Sequence, residues 1–511
     1  MGLLVVSIIL LTTLWSYFKW KQTYWKRRGI NGPESVPFVG SFYKLMDVDN
    51  PRNFTIKEWT KKYGKVFGFY EGPRPILVTS DVNMLQELFI TKFDNFYARK
   101  NNMIHGDLEN PEEEPLVNLF TSRGARWKRL RTLASPHFSV KALKNIFPIV
   151  EDSVLNMMHH LEKVSDVGSC NIHLYFQEFT FDVISRIAMG QIHSEQFNNE
   201  NCEVAKNIFM RTFTSLPWFL ANLFPTANYR LKKIFFNHPH VRGGDIGKLV
   251  KFCENAVDER IAQRKSLIEQ GEEPVSEDFI DIFLQYHAEY VPHQTYGEPV
   301  ERKLTTTEVV AQCFVFLLAG FDTTANSLAY VSYLLAKNPH ELKKIQAEID
   351  EICTEQNISY EIVNKLTYLD AVTKEALRHY PLAAFASSRI CVEPTTLGEY
   401  KIEKGTIVEA DVLTVHFDKE LWGDDAEEFR PARWLENNQR HVMSWFPFGA
   451  GPRQCVGMRL AFLEEKLALA HILRKYDIVA VPETEKKLTI LGCQTLSPEK
   501  VTVGIKKRDL F

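Results

Sequence analysis

The chain has 511 residues, 45% of them hydrophobic and 24% charged, enough apolar sequence for a large buried core, which excludes the disordered and collagen-like classes. Lys plus Arg number 61 against 64 Asp plus Glu, a formal charge of -3, so no global basic field exists to attract nucleic acid. The eight cysteines contain no C-x-x-C pair, which argues against a zinc ribbon, an iron–sulfur run or a small disulfide scaffold.

In chain order, residues 2–18 (GLLVVSIILLTTLWSYF) carry no charge and as a helix would extend roughly 25 Å at about 1.5 Å per residue. Lys19, Lys21, Lys26, Arg27 and Arg28 follow at once, and nothing basic precedes the run. This asymmetry predicts a single N-terminal transmembrane helix within residues 1–28, with the C-terminal side in the cytoplasm. A cleaved secretory signal is the competing reading, but it would need a basic leader and a small-x-small site, and neither is present. A buried core helix is a third reading, seldom found at a terminus ahead of a basic cluster. The sequons at Asn53 and Asn357 should then stay unmodified. Residues 29–40 are rich in Gly and Pro and predict a stiff connector between anchor and globule.

Residues 41–511 show no repeat and no second composition class, so one domain is expected, with a polar surface excursion near 265–305. Val66–Tyr70 and Ile76–Thr79 flank a turn and predict a hairpin, and short strand signals recur near 398–402, 406–412 and 499–505. Helical periodicity dominates elsewhere, giving a mainly α fold with small segregated sheets. Thr305-x-x-Glu308 is a capping box, and the apolar run behind it reaches Lys337, about 30 residues or roughly 45 Å. Its middle, Ala319-Gly-Phe-Asp-Thr-Thr324, places a carboxylate and hydroxyls inside an apolar stretch.

Near the C-terminus stands Phe448-Gly-Ala-Gly-Pro-Arg-Gln-Cys455-Val-Gly457, followed by an amphipathic helix. A thiol just before a helix N-terminus meets unpaired N–H groups and the positive dipole end, which favour thiolate. Gly449, Gly451 and Gly457 let the backbone approach a large flat ligand, and Arg453 is free to pair with an anion.

This segment matches Phe-x-x-Gly-x-Arg-x-Cys-x-Gly in full and resembles the haem-binding loop of the cytochromes P450, the haem-thiolate monooxygenases. Four further motifs follow in the family's order, and Gly457-Met-Arg-Leu-Ala461 is similar to the microsomal animal branch. The resemblance implies a haem b cofactor with Cys455 as axial ligand of the iron. It implies propionate partners at Arg453, at Trp127 and Arg131 of Trp127-Lys-Arg-Leu-Arg131, and at Arg389. Glu375-Ala-Leu-Arg378 would alone read as a solvated helix pair; the resemblance makes it, with Arg433, a buried structural triad. Asp322 reads either as a satisfied polar residue at a helix kink or, with Thr323, as the family's acid–alcohol pair that relays protons.

The function so implied is a monooxygenase acting on an apolar small molecule at the endoplasmic reticulum membrane. No Gly-x-Gly-x-x-Gly after a strand offers a nicotinamide site, so electrons from NADPH would come through a separate diflavin reductase, with cytochrome b5 a further partner. Lys128 and Arg129 read as part of a basic docking face or as a solvated charge cluster. Phe314, Phe316, Leu317, Ala319, Ala383, Ala384 and Phe385 read as substrate-facing, and Phe213–Phe224 as an apolar entry route against lipid. The rival functions are a haem-binding sensor or carrier, which would not need Asp322 and Thr323, and a peroxide-rearranging enzyme independent of reductase.

Overall fold

The computed structural model describes residues 2–101, 105–209, 244–274, 278–355, 357–437, 439–492 and 495–508. The expected entry segment Phe213–Phe224 lies outside them. Helices dominate, and four small sheets form among the described residues. The central helix spans Thr306–Lys337: the Thr305 hydroxyl accepts from the Glu308 N–H, the Glu308 side chain reaches back to the Thr305 N–H, and the capping box closes as the sequence predicts. Most of this helix is buried, chiefly against the helix Ile172–Met189 and also against Asp245–Glu269, Thr367–His379 and Met458–Lys475. Gly320 marks the tightest approach, since a Cβ there would lie 2.9 Å from Ile184 Cδ1. Its glycine is a packing requirement, and the helix runs through it unbroken.

The largest sheet orders strands Val66–Glu71, Arg74–Thr79, Ile407–Ala410 and Ser388–Ile390. The first two form the expected antiparallel hairpin, with Phe67 opposite Val78, and Arg74–Thr79 then pairs in parallel with Ile407–Ala410. This sheet carries Arg389 at its far edge.

Two sequence expectations change. Residues 29–40 do not act as a spacer: Gly68 N donates to Asn31 O at 2.9 Å, and a Cβ on Gly32 would sit 1.8 Å from Gly68 O. Backbone is packed on backbone there, so the connector is part of the globule. Trp25 is only 2% exposed, its amide donates to Tyr70 Oη at 2.9 Å and its indole to Phe69 O at 3.2 Å. The globule therefore begins ahead of the boundary drawn after residue 28. The polar stretch near 265–305 is likewise not all surface, because Phe279, Ile280 and Phe283 enter the main core.

Gly2–Lys21 is helical, with apolar side chains exposed along it, Leu4 at 67% and Leu10 at 64% among them. Among the described residues the helix long and apolar enough to cross a bilayer is the central one, and its burial in the globule makes it a core element.

Candidate active site

The cysteine loop is folded by its own backbone. Gly451 has φ 66°, and a Cβ there would meet Phe89 O at 1.9 Å, so no other residue fits without moving the neighbouring segment. Cys455 N donates to Phe448 O at 2.9 Å, which turns the chain into the helix Met458–Lys475. The Cys455 thiol opens onto an internal cavity. Its surroundings act in both directions: burial pushes its pKa up, while the Gly457 N–H, Arg131, Arg99 and the Met458 N–H pull it down. The helix-end amides expected to favour thiolate are thus among the groups that lower it. A bound metal cation would supply the remaining stabilisation, because coordination deprotonates a thiol outright.

Around that thiol the cavity gathers Trp127, Arg99, Arg131, Arg389 and Arg453 from widely separated segments. Arg131 Nη1 donates to Gln454 O at 2.8 Å, and Arg99 Nη2 to Arg453 O at 2.8 Å, so both hold the backbone beside the cysteine. The Arg453 guanidinium lies 4.6 Å from the Trp127 ring centre, and Arg389 stands 4.6 Å from that of Phe89. None of the four forms an ion pair with a carboxylate among the described residues, and Nε of Arg99, Arg389 and Arg453 is buried without a hydrogen bond there. Burial, reinforced by their mutual repulsion, drives Arg389 and Arg453 far below the ordinary guanidinium value, and burial brings Arg99 down to about 10. Unpaired buried cations are costly, and a ligand bearing carboxylates would offset that cost. A thiol and carboxylate-seeking arginines on one cavity are the donor set that a haem with two acid side arms would require. For Arg99 the resemblance offers only a further propionate candidate with no motif behind it, and the fold shows that it faces the cavity.

A second cluster braces the loop. Glu375 is fully buried and accepts from Arg378 Nε at 3.0 Å and Nη2 at 2.8 Å, from Arg433 Nε at 2.9 Å and from Trp434 Nε1 at 2.9 Å. The helix pair is thus no solvated salt bridge, and His379 first and Arg378 second hold the carboxyl well below its usual range against the opposing effect of burial. Arg378 Nη1 also donates to His416 O at 2.7 Å. His416 went unmarked in the sequence, yet it bridges the two regions: Nδ1 faces Arg378 O at 3.2 Å and Nε2 faces the Phe446 amide at 3.2 Å. The cluster is thereby wired to the start of the cysteine loop.

On the central helix, Phe316, Ala319, Gly320, Thr323 and Thr324 line the cavity, a spacing of three, four, seven and eight that defines one helix face. Asp322 falls outside this face. Its carboxyl is 2% exposed and accepts from Thr495 Oγ1 at 2.5 Å and Asn326 Nδ2 at 2.9 Å, on the side away from the cavity. Burial raises it to about 6 against those hydrogen bonds. Thr323 does face the cavity, and its hydroxyl donates to Ala319 O at 2.6 Å. The acid and the alcohol are therefore adjacent in sequence but turned apart in space. Of the other apolar candidates, Ala383 lines the cavity, Phe314 and Leu317 do not, and the side chains of Ala384 and Phe385 lie outside the described residues.

The docking pair also divides. Lys128 is exposed, whereas Arg129 is buried and donates to Glu308 at 2.9 and 2.7 Å, joined by Arg126 at 3.0 Å. These arginines lock the helix Gly124–Ala134 to the start of the central helix, so Arg129 belongs to the scaffold and not to a docking face.

Fold and site together fit a haem enzyme, and comparison with known sequences agrees: the cytochrome P450 family model matches residues 30–502, so this chain belongs to the cytochrome P450 family. It is 57% identical over 509 residues to cytochrome P450 cyp-13B1 of Caenorhabditis elegans, covering 99% of this chain and 100% of that one. Cytochromes P450 CYP13A10 and CYP13A1 of the same organism are 42% and 43% identical, each over 97% of its own length and over 96% and 97% of this chain. The chain is a haem monooxygenase, an oxidoreductase.

Proposed function

We propose that the cavity holds haem b with Cys455 as its axial ligand and with Trp127, Arg131, Arg389, Arg453 and Arg99 around its propionates. The observation that carries this reading is the set of guanidiniums left without carboxylate partners among the described residues, beside the cavity-facing thiol of Cys455. A thiolate-ligated haem supplies activation of dioxygen, the thiolate favouring O–O cleavage. The chain's own residues do the rest. Glu375, Arg378 and Arg433 fix the loop and hence the sulfur. Thr323, its proton engaged by Ala319 O, presents its oxygen as an acceptor that orients water or oxygen on the cavity face. Asp322, with a value of about 6, exchanges protons near neutral pH and carries them in by leaving Thr495 and Asn326. The apolar wall, Phe138, Ile184, Val315 and Phe316 among it, selects an apolar substrate and excludes water.

The electron source in this reading is NADPH through a separate diflavin reductase, with cytochrome b5 as a second donor and exposed Lys128 on the docking face. The helix Gly2–Lys21, with its exposed aliphatic surface and basic flank, anchors the protein in the endoplasmic reticulum membrane with the catalytic domain (41–511, extended by the packed segment before it) on the cytoplasmic side.

The reduced, carbon monoxide-bound spectrum tests the core of this. Thiolate ligation moves the Soret band far to the red of a histidine-ligated haem, and Cys455→Ser should abolish that shift. Its persistence in folded variant would assign the ligand elsewhere.

A further inference from the structure

An indole ring gives up an electron far more readily than an aliphatic or phenyl side chain, and indoles in contact can pass charge from one to the next. Such a file of rings leads away from the cavity. Phe448, whose carbonyl accepts from the Cys455 amide, lines the cavity. Behind it the rings of Trp445, Trp434 and Trp422 follow, with successive centres 6.3, 5.3 and 5.4 Å apart. Trp445 and Trp434 are partly exposed, so the file comes out at the surface, whereas Trp422 is buried. The charges beside the rings differ. The Trp434 N–H donates to the Glu375 carboxylate at 2.9 Å, and an anion so placed stabilises a ring that has lost an electron. Trp422 instead has the guanidiniums of Arg378 and Arg440 at 4.9 and 4.8 Å from its ring centre, and two cations oppose the same loss. Arg440 stands further from Trp434, at 6.0 Å. The Trp445 N–H donates to Lys374 O at 3.3 Å.

We propose that Trp445 and Trp434 form an electron-transfer path from the surface to the haem cavity, ending at Trp434 and sparing Trp422, by which a small thiol in solution reduces the enzyme when dioxygen has been cleaved and no substrate takes the oxygen atom. The inference rests on the reading that this cavity is the haem site. Trp445 gives one electron across Phe448 and is refilled by Trp434, and both rings keep their N–H protons. Trp434 is refilled at the surface by the thiol, which releases its proton to water. Two thiols oxidised in this way join through a new S–S bond. Two electrons along the path and two protons from water convert the stranded oxygen atom to water, so one oxygen atom and two thiols give one water and one disulfide. The oxidising equivalents are thereby drawn off before they attack the porphyrin or the cavity wall.

The test uses the full-length haem-loaded enzyme with microsomal reductase and NADPH, without organic substrate, and with glutathione present or absent. Without the thiol, peptide mass spectrometry should find the formylkynurenine product of indole oxidation at Trp434 and Trp445 and not at Trp422, and glutathione should suppress it. Freeze-quenching the ferric enzyme with an aryl peracid should trap a radical whose electron paramagnetic resonance signal narrows when the tryptophans are ring-deuterated. Trp445→Phe should keep the red-shifted carbon monoxide band, lose the radical and the oxidation at Trp434, and bleach its haem severalfold faster per NADPH consumed, with glutathione no longer slowing the loss. Trp445→Tyr, which restores an oxidisable ring, should recover part of the protection. Indole oxidation that misses Trp434 or falls first on Trp422 overturns the proposal, and this mapping on the wild-type protein decides it even where the phenylalanine variant fails to fold. A radical and a bleaching rate unchanged in Trp445→Phe overturn it as well. Absence of the red-shifted band from the wild-type enzyme would instead overturn the haem-thiolate reading beneath it, so the two failures are distinct.

Discussion

Replacing Glu375 by glutamine removes one negative charge from between two fully buried guanidiniums while changing the side-chain volume hardly at all. In the native cluster Oε1 accepts from Arg378 Nη2, Arg433 Nε and, at 3.1 Å, the Arg430 amide, whereas Oε2 accepts from Arg378 Nε and Trp434 Nε1. A glutamine can leave its oxygen in the first position, but its amide then faces two N–H donors at 3.0 and 2.9 Å, donor against donor. Removing one partner of a buried ion pair costs about 3–5 kcal/mol, a large share of the ~5–15 kcal/mol that separates folded from unfolded chains. Urea titration of the haem-loaded enzyme, followed by far-ultraviolet circular dichroism and by the thiolate Soret signature, reads this as a lower midpoint. Because the cluster is wired through His416 to Phe446, the haem signature should be lost at lower urea than helicity. The exposed pair Lys144–Glu361 supplies the control, and Glu361→Gln should leave the midpoint where it was. A loss below about 1 kcal/mol in Glu375→Gln, the ordinary cost of a point substitution, would refute the argument.

Thr323→Ala removes the cavity-facing hydroxyl and should raise peroxide released per NADPH severalfold without shifting the Soret band; unchanged coupling would remove Thr323 from proton delivery. Deleting residues 2–22 should release the protein from membranes with its haem spectrum intact. Extending the deletion through residue 28 removes buried Trp25 and should cost about 3–5 kcal/mol in urea titrations, so equal stability of the two truncations would contradict the packing seen at Gly68. His416 is held neutral, with burial first and Arg378 second lowering it from 6.5 to about 3. A depressed folded value means its contribution is whole above the unfolded pKa, so stability should fall as pH drops from 6.5 towards 3. His416→Gln should flatten that slope, and parallel pH curves for the two proteins would count against it.

The reading from sequence succeeded where the physics is local. The capping box at Thr305 and Glu308, the hairpin at 66–79 and the glycine-framed loop around Cys455 all involve groups a few residues apart, so order along the chain is enough to predict them. It was less secure for Glu375, where the spacing to Arg378 names a helix pair but not its burial, and the family resemblance carried that step.

What the chain's order settled by itself is a large mainly helical globule of the cytochrome P450 family with one thiol in a loop suited to a flat, acid-bearing ligand. Which charged groups meet was decided only in three dimensions. Arg129 and Arg131 are two residues apart on one helix, yet one is bound to Glu308 and the other reaches the cysteine loop. Asp322 and Thr323 are consecutive, and the roughly 100° turn between neighbours on a helix sends one to Thr495 and leaves the other on the cavity. Helix phase and the partners brought in from hundreds of residues away set these directions, and neither is written in any short stretch of sequence.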